Sequence, residues 1–132
     1  VDFLGRVCHK RSVSFLISDF IVPAMDETLR RRLRSGGRRH ELIALMVSDP
    51  GELALPAYGM VAFEDLESGR RLYFDGADAG SRAAFSRRQE SARAAIRSQL
   101  AALKMDTVAL STAFDPADAL VRYFRIRERR KR

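Results

Sequence analysis

The chain has 132 residues, 24 Lys+Arg against 17 Asp+Glu, one Cys and no Trp, for a formal net charge of +7. With 46% hydrophobic and 31% charged residues it reads as globular rather than disordered, long enough for one domain or a large piece of one. The lone Cys8 excludes an internal disulfide scaffold and favours a reducing, cytoplasmic setting, and no apolar run approaches the roughly 20 residues that span a bilayer.

The chain opens on Val1 inside an apolar pattern, which reads as the C-terminal part of something longer. Val1–Lys10 spaces Phe3, Leu4 and Val7 like the end of a helix. Ser12–Ile17 is a short, β-branched apolar run and predicts a buried strand that stops at Ser18-Asp19. Met25–Ser35 returns to helical spacing through Met25, Leu29 and Leu33, with acids first and arginines last, and Gly36-Gly37 is expected to end it. Leu42–Val47 is a second apolar run, stopping at Ser48-Asp49. Strand, helix and strand with short loops predict a βαβ unit.

Gly59–Asp65 and Arg70–Asp75 flank Glu67-Ser68-Gly69 and predict an antiparallel hairpin, about residues 59–75, with Glu64, Asp65 and Glu67 as a solvated acidic loop. Asp78–Leu103 predicts the longest helix, with an apolar stripe of Phe85, Ala92, Ile96, Leu100 and Leu103. Thr107–Leu110 is a third short strand, ending at Ser111-Thr112. Asp115-Pro116-Ala117-Asp118 has the cap, N1 proline and acidic first turn of a helix start, and Leu120, Val121 and Phe124 are expected to dock that helix. The fold class is therefore α/β in three layers: three parallel strands (about 12–18, 41–47 and 107–111), flanking helices and one inserted β-hairpin. Residues 1–121 form the domain, and 122–132 the end of the last helix and a basic tail.

Functional groups in open α/β sheets gather beyond the carboxyl ends of the strands. Ser18, Asp19, Ser48, Asp49, Ser111 and Thr112 form that edge here. Asp19 with neighbouring hydroxyls is a hard-oxygen set suited to Mg²⁺, although Ser and Asp also serve as ordinary strand terminators and caps. His9, His40 and Cys8 have no partners at ligand spacing and read as structural. There is no Gly-rich phosphate loop and no nucleophile elbow. An Mg²⁺-dependent phosphotransfer using Asp19 as nucleophile would need an acidic pair that does not precede Ser12.

The charge is unevenly spread. Arg30, Arg31, Arg32 and Arg34 crowd one helix, and Arg122–Arg132 carries seven basic groups and one acidic, including Arg127, Arg129 and Arg130. This basic patch raises nucleic-acid binding as an alternative, but charge runs are usually solvated faces, and aromatic residues near it are few.

Four segments in order, SVSFLISDF (Ser12–Phe20), HELIALMVSDP (His40–Pro50), LALPAYGMVAFEDLESGRRLYFD (Leu53–Asp75) and LSTAFDPADALVRYFRIRERR (Leu110–Arg130), together resemble an uncharacterised bacterial family. It is the family of von Willebrand factor A-like proteins associated with MoxR-type AAA+ ATPases. The resemblance covers nearly the whole chain and corresponds to the C-terminal half of that doubly wound domain, its fourth to sixth strands. It implies a cytoplasmic protein-binding module, not an enzyme, working with a MoxR-type ATPase. It also implies a metal-ion-dependent adhesion site in which Asp19 acts on a divalent cation through water. The family's Asp-x-Ser-x-Ser motif does not occur in this chain, so the fragment itself holds no cofactor and the site would be completed by upstream residues. In the implied strand order, Ser12–Ile17 would be an open edge through which the fragment self-associates.

Overall fold

The computed structural model describes residues 7–20, 25–64 and 69–130. Most of the helix expected over Val1–Lys10 lies outside the described residues, as do Asp65, Glu67 and Ser68 of the hairpin turn. In chain order the elements are β1 (Val13–Ser18), α1 (Glu27–Arg39), β2 (Glu41–Ser48), the short α2 (Pro50–Leu53), β3 (Met60–Glu64), β4 (Arg71–Asp75), α3 (Ala79–Ala102), β5 (Asp106–Ser111) and α4 (Pro116–Arg130). They divide into two compact units, Val1–Ser48 with Ala95–Arg132, and Asp49–Ala94, the division falling inside α3.

The first unit is an α/β layer structure on a three-stranded parallel sheet of order β1-β2-β5. β2 lies in the middle because it is apolar at both parities. Leu42, Ala44 and Met46 face a core shared with Met25, Leu33, Leu100 and Met105. Ile43 and Leu45 face the other way, onto Val108 with Ala119, Leu120 and Tyr123 of α4. Helices therefore cover both faces, as the all-apolar strand requires.

Three expectations need correction here, and the first is β1, which is an edge strand with Val13, Phe15 and Ile17 exposed rather than a buried one. Gly36-Gly37 does not end α1. The helix runs to Arg39 and is closed by His40, whose N–H donates to the Gly36 carbonyl at 2.8 Å. Two glycines cost a helix up to about 1 kcal/mol each, which burial of Leu33 and the basic last turn, Arg38 and Arg39, offset. The docking face of α4 is also shifted. Leu120 and Tyr123, three residues apart, face the sheet, whereas Val121, about 100° further round, is exposed. Phe124 is 41% exposed, edge-on to Phe15 of the edge strand at 6.3 Å and to Tyr123 at 5.2 Å. The basic run from Arg122 to Arg130 is part of α4.

In the second unit, β3 and β4 pair antiparallel, from Met60 opposite Asp75 to Glu64 opposite Arg71. The Glu64–Arg71 ion pair spans 2.8 Å across the exposed end. Phe63, Phe74 and Phe85 pack ring on ring at centroid distances of 5.2 to 5.6 Å. Gly76 is required where it stands: a Cβ there would lie 2.5 Å from the Pro56 carbonyl and 2.9 Å from that of Tyr58. Just ahead of α3, Asp78 accepts from the Ser81 N–H at 2.6 Å. That bond, with the Ser81 hydroxyl and the Gly80 N–H, holds the Asp78 carboxyl below its usual range.

Candidate functional site

All three strands of the sheet run the same way, so their carboxyl ends share one edge. The register sets Ser48 opposite Ser111 and Ser18 opposite Met46. Ser48 is buried at 7% exposure, its hydroxyl donating to the Leu110 carbonyl at 3.2 Å, and its own carbonyl accepts from the Thr112 N–H at 3.0 Å. The Ser111 hydroxyl accepts from the Ala113 N–H at 3.3 Å. The two Ser48 bonds fasten the ends of β2 and β5 together, and the Ser111 bond shapes the turn that follows.

On the other side of β2, the Ser18 hydroxyl accepts from the Phe20 N–H at 3.0 Å and donates to Asp19 Oδ1 at 3.4 Å. Phe20 has a positive φ of 55°, so the chain turns directly after Asp19 and leaves that carboxylate exposed at the strand end. Asp49 does different work. It belongs to the second unit and caps α2, its carboxylate accepting from the Gly51 N–H at 2.7 Å.

As a cation site the edge is partial. The Asp19 carboxylate and the Ser18 hydroxyl fit part of the oxygen shell of Mg²⁺, which keeps several waters. Among the described residues, no three His, Cys, Asp or Glu side chains converge as metal ligands. Sequence reasoning missed one feature of this edge. α4 brings Asp118 and Arg122 to a cavity of about 420 Å³ that Ser48 and Ser111 also line. In the sequence, Asp118 looked like a helix-dipole residue only.

The basic patch does not assemble. α1 packs on one face of the sheet and α4 on the other. Arg30 is tied to α3, its Nη2 donating to Gln99 Oε1 at 3.1 Å and its Nε to the Met25 carbonyl. Arg34 borders a cavity at the opposite edge of the sheet, and Arg31 is exposed. Arg127 is ion-paired with Glu41, whose carboxylate holds the guanidinium above its usual pKa. Arg129 and Arg130 lie in the last turn of α4.

The starts of β2 and β5 carry a network that sequence reasoning also missed. The Tyr123 hydroxyl donates to Asp106 Oδ2 at 2.6 Å and accepts from Arg127 Nη1 at 3.4 Å. Burial, then the Asp106 carboxylate, pushes the Tyr123 pKa up to about 12. Tyr123 and Arg127 stand four apart on α4, but nothing in the local sequence pattern brings Asp106 and Glu41 to them, because three separate elements meet there.

An open, parallel, three-layer α/β sheet with polar strand ends defines the class of protein. A family model described as a protein of unknown function, DUF58, matches residues 1–95, and the chain belongs to that family. Uncharacterised proteins of Mycobacterium tuberculosis and Mycobacterium bovis are each 38% identical to it over 97 residues, 70% of this chain and 30% of theirs. An uncharacterised protein of Mycobacterium avium is 30% identical over 129 residues, 98% of this chain and 74% of that protein. The chain thus spans about 30% of the length of the first two relatives. No solved structure matches it. No helix among the described residues is long and apolar enough to cross a membrane.

Proposed function

We propose that the chain is part of a von Willebrand factor A-like interaction domain that works in the cytoplasm with a MoxR-type AAA+ ATPase. It binds rather than catalyses. One observation carries the reading: the parallel order β1-β2-β5, which sets Ser18-Asp19 and Ser48/Ser111 along one sheet edge. That is the strand order the resemblance implies, with Asp19 at the position of the family's water-mediated metal contact. Asp19 would hold a water of a bound Mg²⁺, residues outside this chain would supply the inner ligands, and the cation would take an acidic group of the partner.

The test measures binding of the purified ATPase to the full-length protein in Mg²⁺ and in EDTA. Asp19→Ala is expected to weaken Mg²⁺-dependent binding by about tenfold, the usual scale for loss of an outer-shell metal partner. Equal binding in EDTA and in the variant removes the metal-assisted version, and no binding in any condition removes the partnership. Nucleic-acid binding gains nothing from the placement of the arginines, which sit on opposite faces of the sheet with Arg30 and Arg127 already engaged.

A further inference from the structure

At the edge of the sheet where β2 and β5 begin, a cavity of about 520 Å³ opens. This size falls within the range of small-molecule pockets. Four cations line it: Arg11, Arg34, Arg38 and Lys104. The two acids in its wall are occupied, Glu41 by Arg127 and Asp106 by the Tyr123 hydroxyl. Among the described residues, none of the four cations makes an ion pair or side-chain hydrogen bond. Glu41 is thus offset by Arg127 while Asp106 keeps its charge beside a neutral hydroxyl, and the four cations still leave the cavity positive.

Helix dipoles explain only part of this charge. α1 and α3 both end at the cavity, so Arg38 and Lys104 complement the carbonyls there. That effect fades beyond the last turn. Arg34 lies ahead of the last turn of α1, and Arg11 lies on the segment before β1.

Lys104 is out of place as a purely structural residue. The Met105 N–H bonds to the Leu100 carbonyl at 3.1 Å and the Lys104 N–H to that of Ala101 at 2.9 Å, the pair of bonds that closes a helix in a Schellman motif. Lys104 occupies its left-handed position at φ 57°, where glycine carries no Cβ penalty. A lysine there carries a conformational cost that glycine would not.

His40 packs behind the same wall. It borders the same cavity, is 3% exposed, and has Ser12 Oγ 3.0 Å from Nδ1. Its Nε2 is shut away from solvent with no hydrogen-bond partner among the described residues. When the Ser12 hydroxyl donates to Nδ1, Nε2 carries the proton and lacks an acceptor.

We propose that this cavity binds a small organic oxyanion, a phosphate monoester or a carboxylate, through Arg11, Arg34, Arg38 and Lys104, with Ala102 and Leu103 against its carbon skeleton. Arginine forks suit the planar or tetrahedral oxygens of either group. The site needs no metal and no protein partner, so it stands or falls apart from the function proposed for the opposite edge.

The test titrates the 132-residue protein with phenyl phosphate and with phenylacetate, at ionic strength held constant with NaCl, and follows heat and melting temperature. Saturable binding of at least one probe is expected. Binding of phenyl phosphate alone identifies a phosphate monoester as the natural ligand class, binding of phenylacetate alone a carboxylate, and binding of both an oxyanion read without regard to its centre. Lys104→Gly and Arg34→Gln should each weaken binding by about fivefold or more. Lys104→Gly should do so without lowering the melting temperature of the free protein, because it relieves the left-handed residue. No saturable binding of either probe, or variants that bind as tightly as the parent, overturns the proposal.

Discussion

Tyr123 shows how one side chain can make fold stability depend on pH. Its hydroxyl donates to Asp106 and accepts from Arg127, which is itself paired with Glu41. Burial and the Asp106 carboxylate both favour the neutral phenol, raising the pKa from 10.0 to about 12. Between those values the unfolded chain has lost the phenolic proton and the folded chain keeps it, so stability falls as pH rises. The contribution is whole below pH 10 and gone once the folded pKa of about 12 is passed. Urea midpoints of the parent and Tyr123→Phe should therefore converge across that interval, since other groups titrate alike in both. A gap between them that stays constant with pH would refute this role. Lys104 shows a different residue-scale effect. A non-glycine residue in the left-handed region costs roughly 1–2 kcal/mol, a large share of a small domain's stability.

At the scale of elements, α1 makes the most direct test of what was misread. Gly37 sits inside the helix, and a Cβ there would meet nothing within 4 Å. Gly37→Ala should raise stability by about 0.5–1 kcal/mol, by removing unfolded-state freedom and improving helix propensity. A higher thermal or urea midpoint would bear this out, and a lower one would mean the helix needs glycine to end there. β2 was legible because an unbroken apolar run of strand length has one good solution, a central parallel strand. The hairpin was legible from its Gly59 and Gly69 punctuation, and α4 from its Asp-Pro start. The turn at which α1 ends was not. Glycine permits a stop without requiring one, and the decision came from where β2 begins, Glu41 N–H donating to the Ser12 carbonyl at 2.8 Å. The facing of α4 was missed for a similar reason: Leu120, Val121 and Phe124 are all apolar, and only the position of the sheet decides which of them it covers. The polar strand ends could be read as a set because parallel strands imply a shared edge. The cationic cavity could not, since Arg11, Arg34 and Lys104 meet only through the docking of three separate segments.

For the molecule as a whole, β1 is the element least accounted for by its surroundings. Paired residues in a parallel sheet face the same side, so Val13, Phe15 and Ile17 lie on the face that α4 covers over β2 and β5. Among the described residues that cover does not extend over β1. Ile17 is 68% exposed and Val13 48%, and Phe15 has the ring of Phe124 at its edge. Val121 and Phe124 extend the same apolar surface onto the helix. Among the described residues β1 pairs only with β2, which leaves the other side of its backbone as an unpaired strand edge. An edge that is both apolar and unpaired, and carries no charged side chain from Val13 to Ser18, has none of the features that keep strands from pairing with other chains. The isolated chain should therefore self-associate through β1 at tens of micromolar. Sedimentation velocity should find dimers or larger species for the parent and a monomer for Ile17→Arg, which puts a charge on the apolar face beside the open edge. The variant should remain folded, because Ile17 is too exposed to contribute much to the core, and unchanged far-ultraviolet circular dichroism would check it. A monomeric parent at that concentration would mean that the net charge of +7 outweighs the open edge, like-charge repulsion keeping the copies apart.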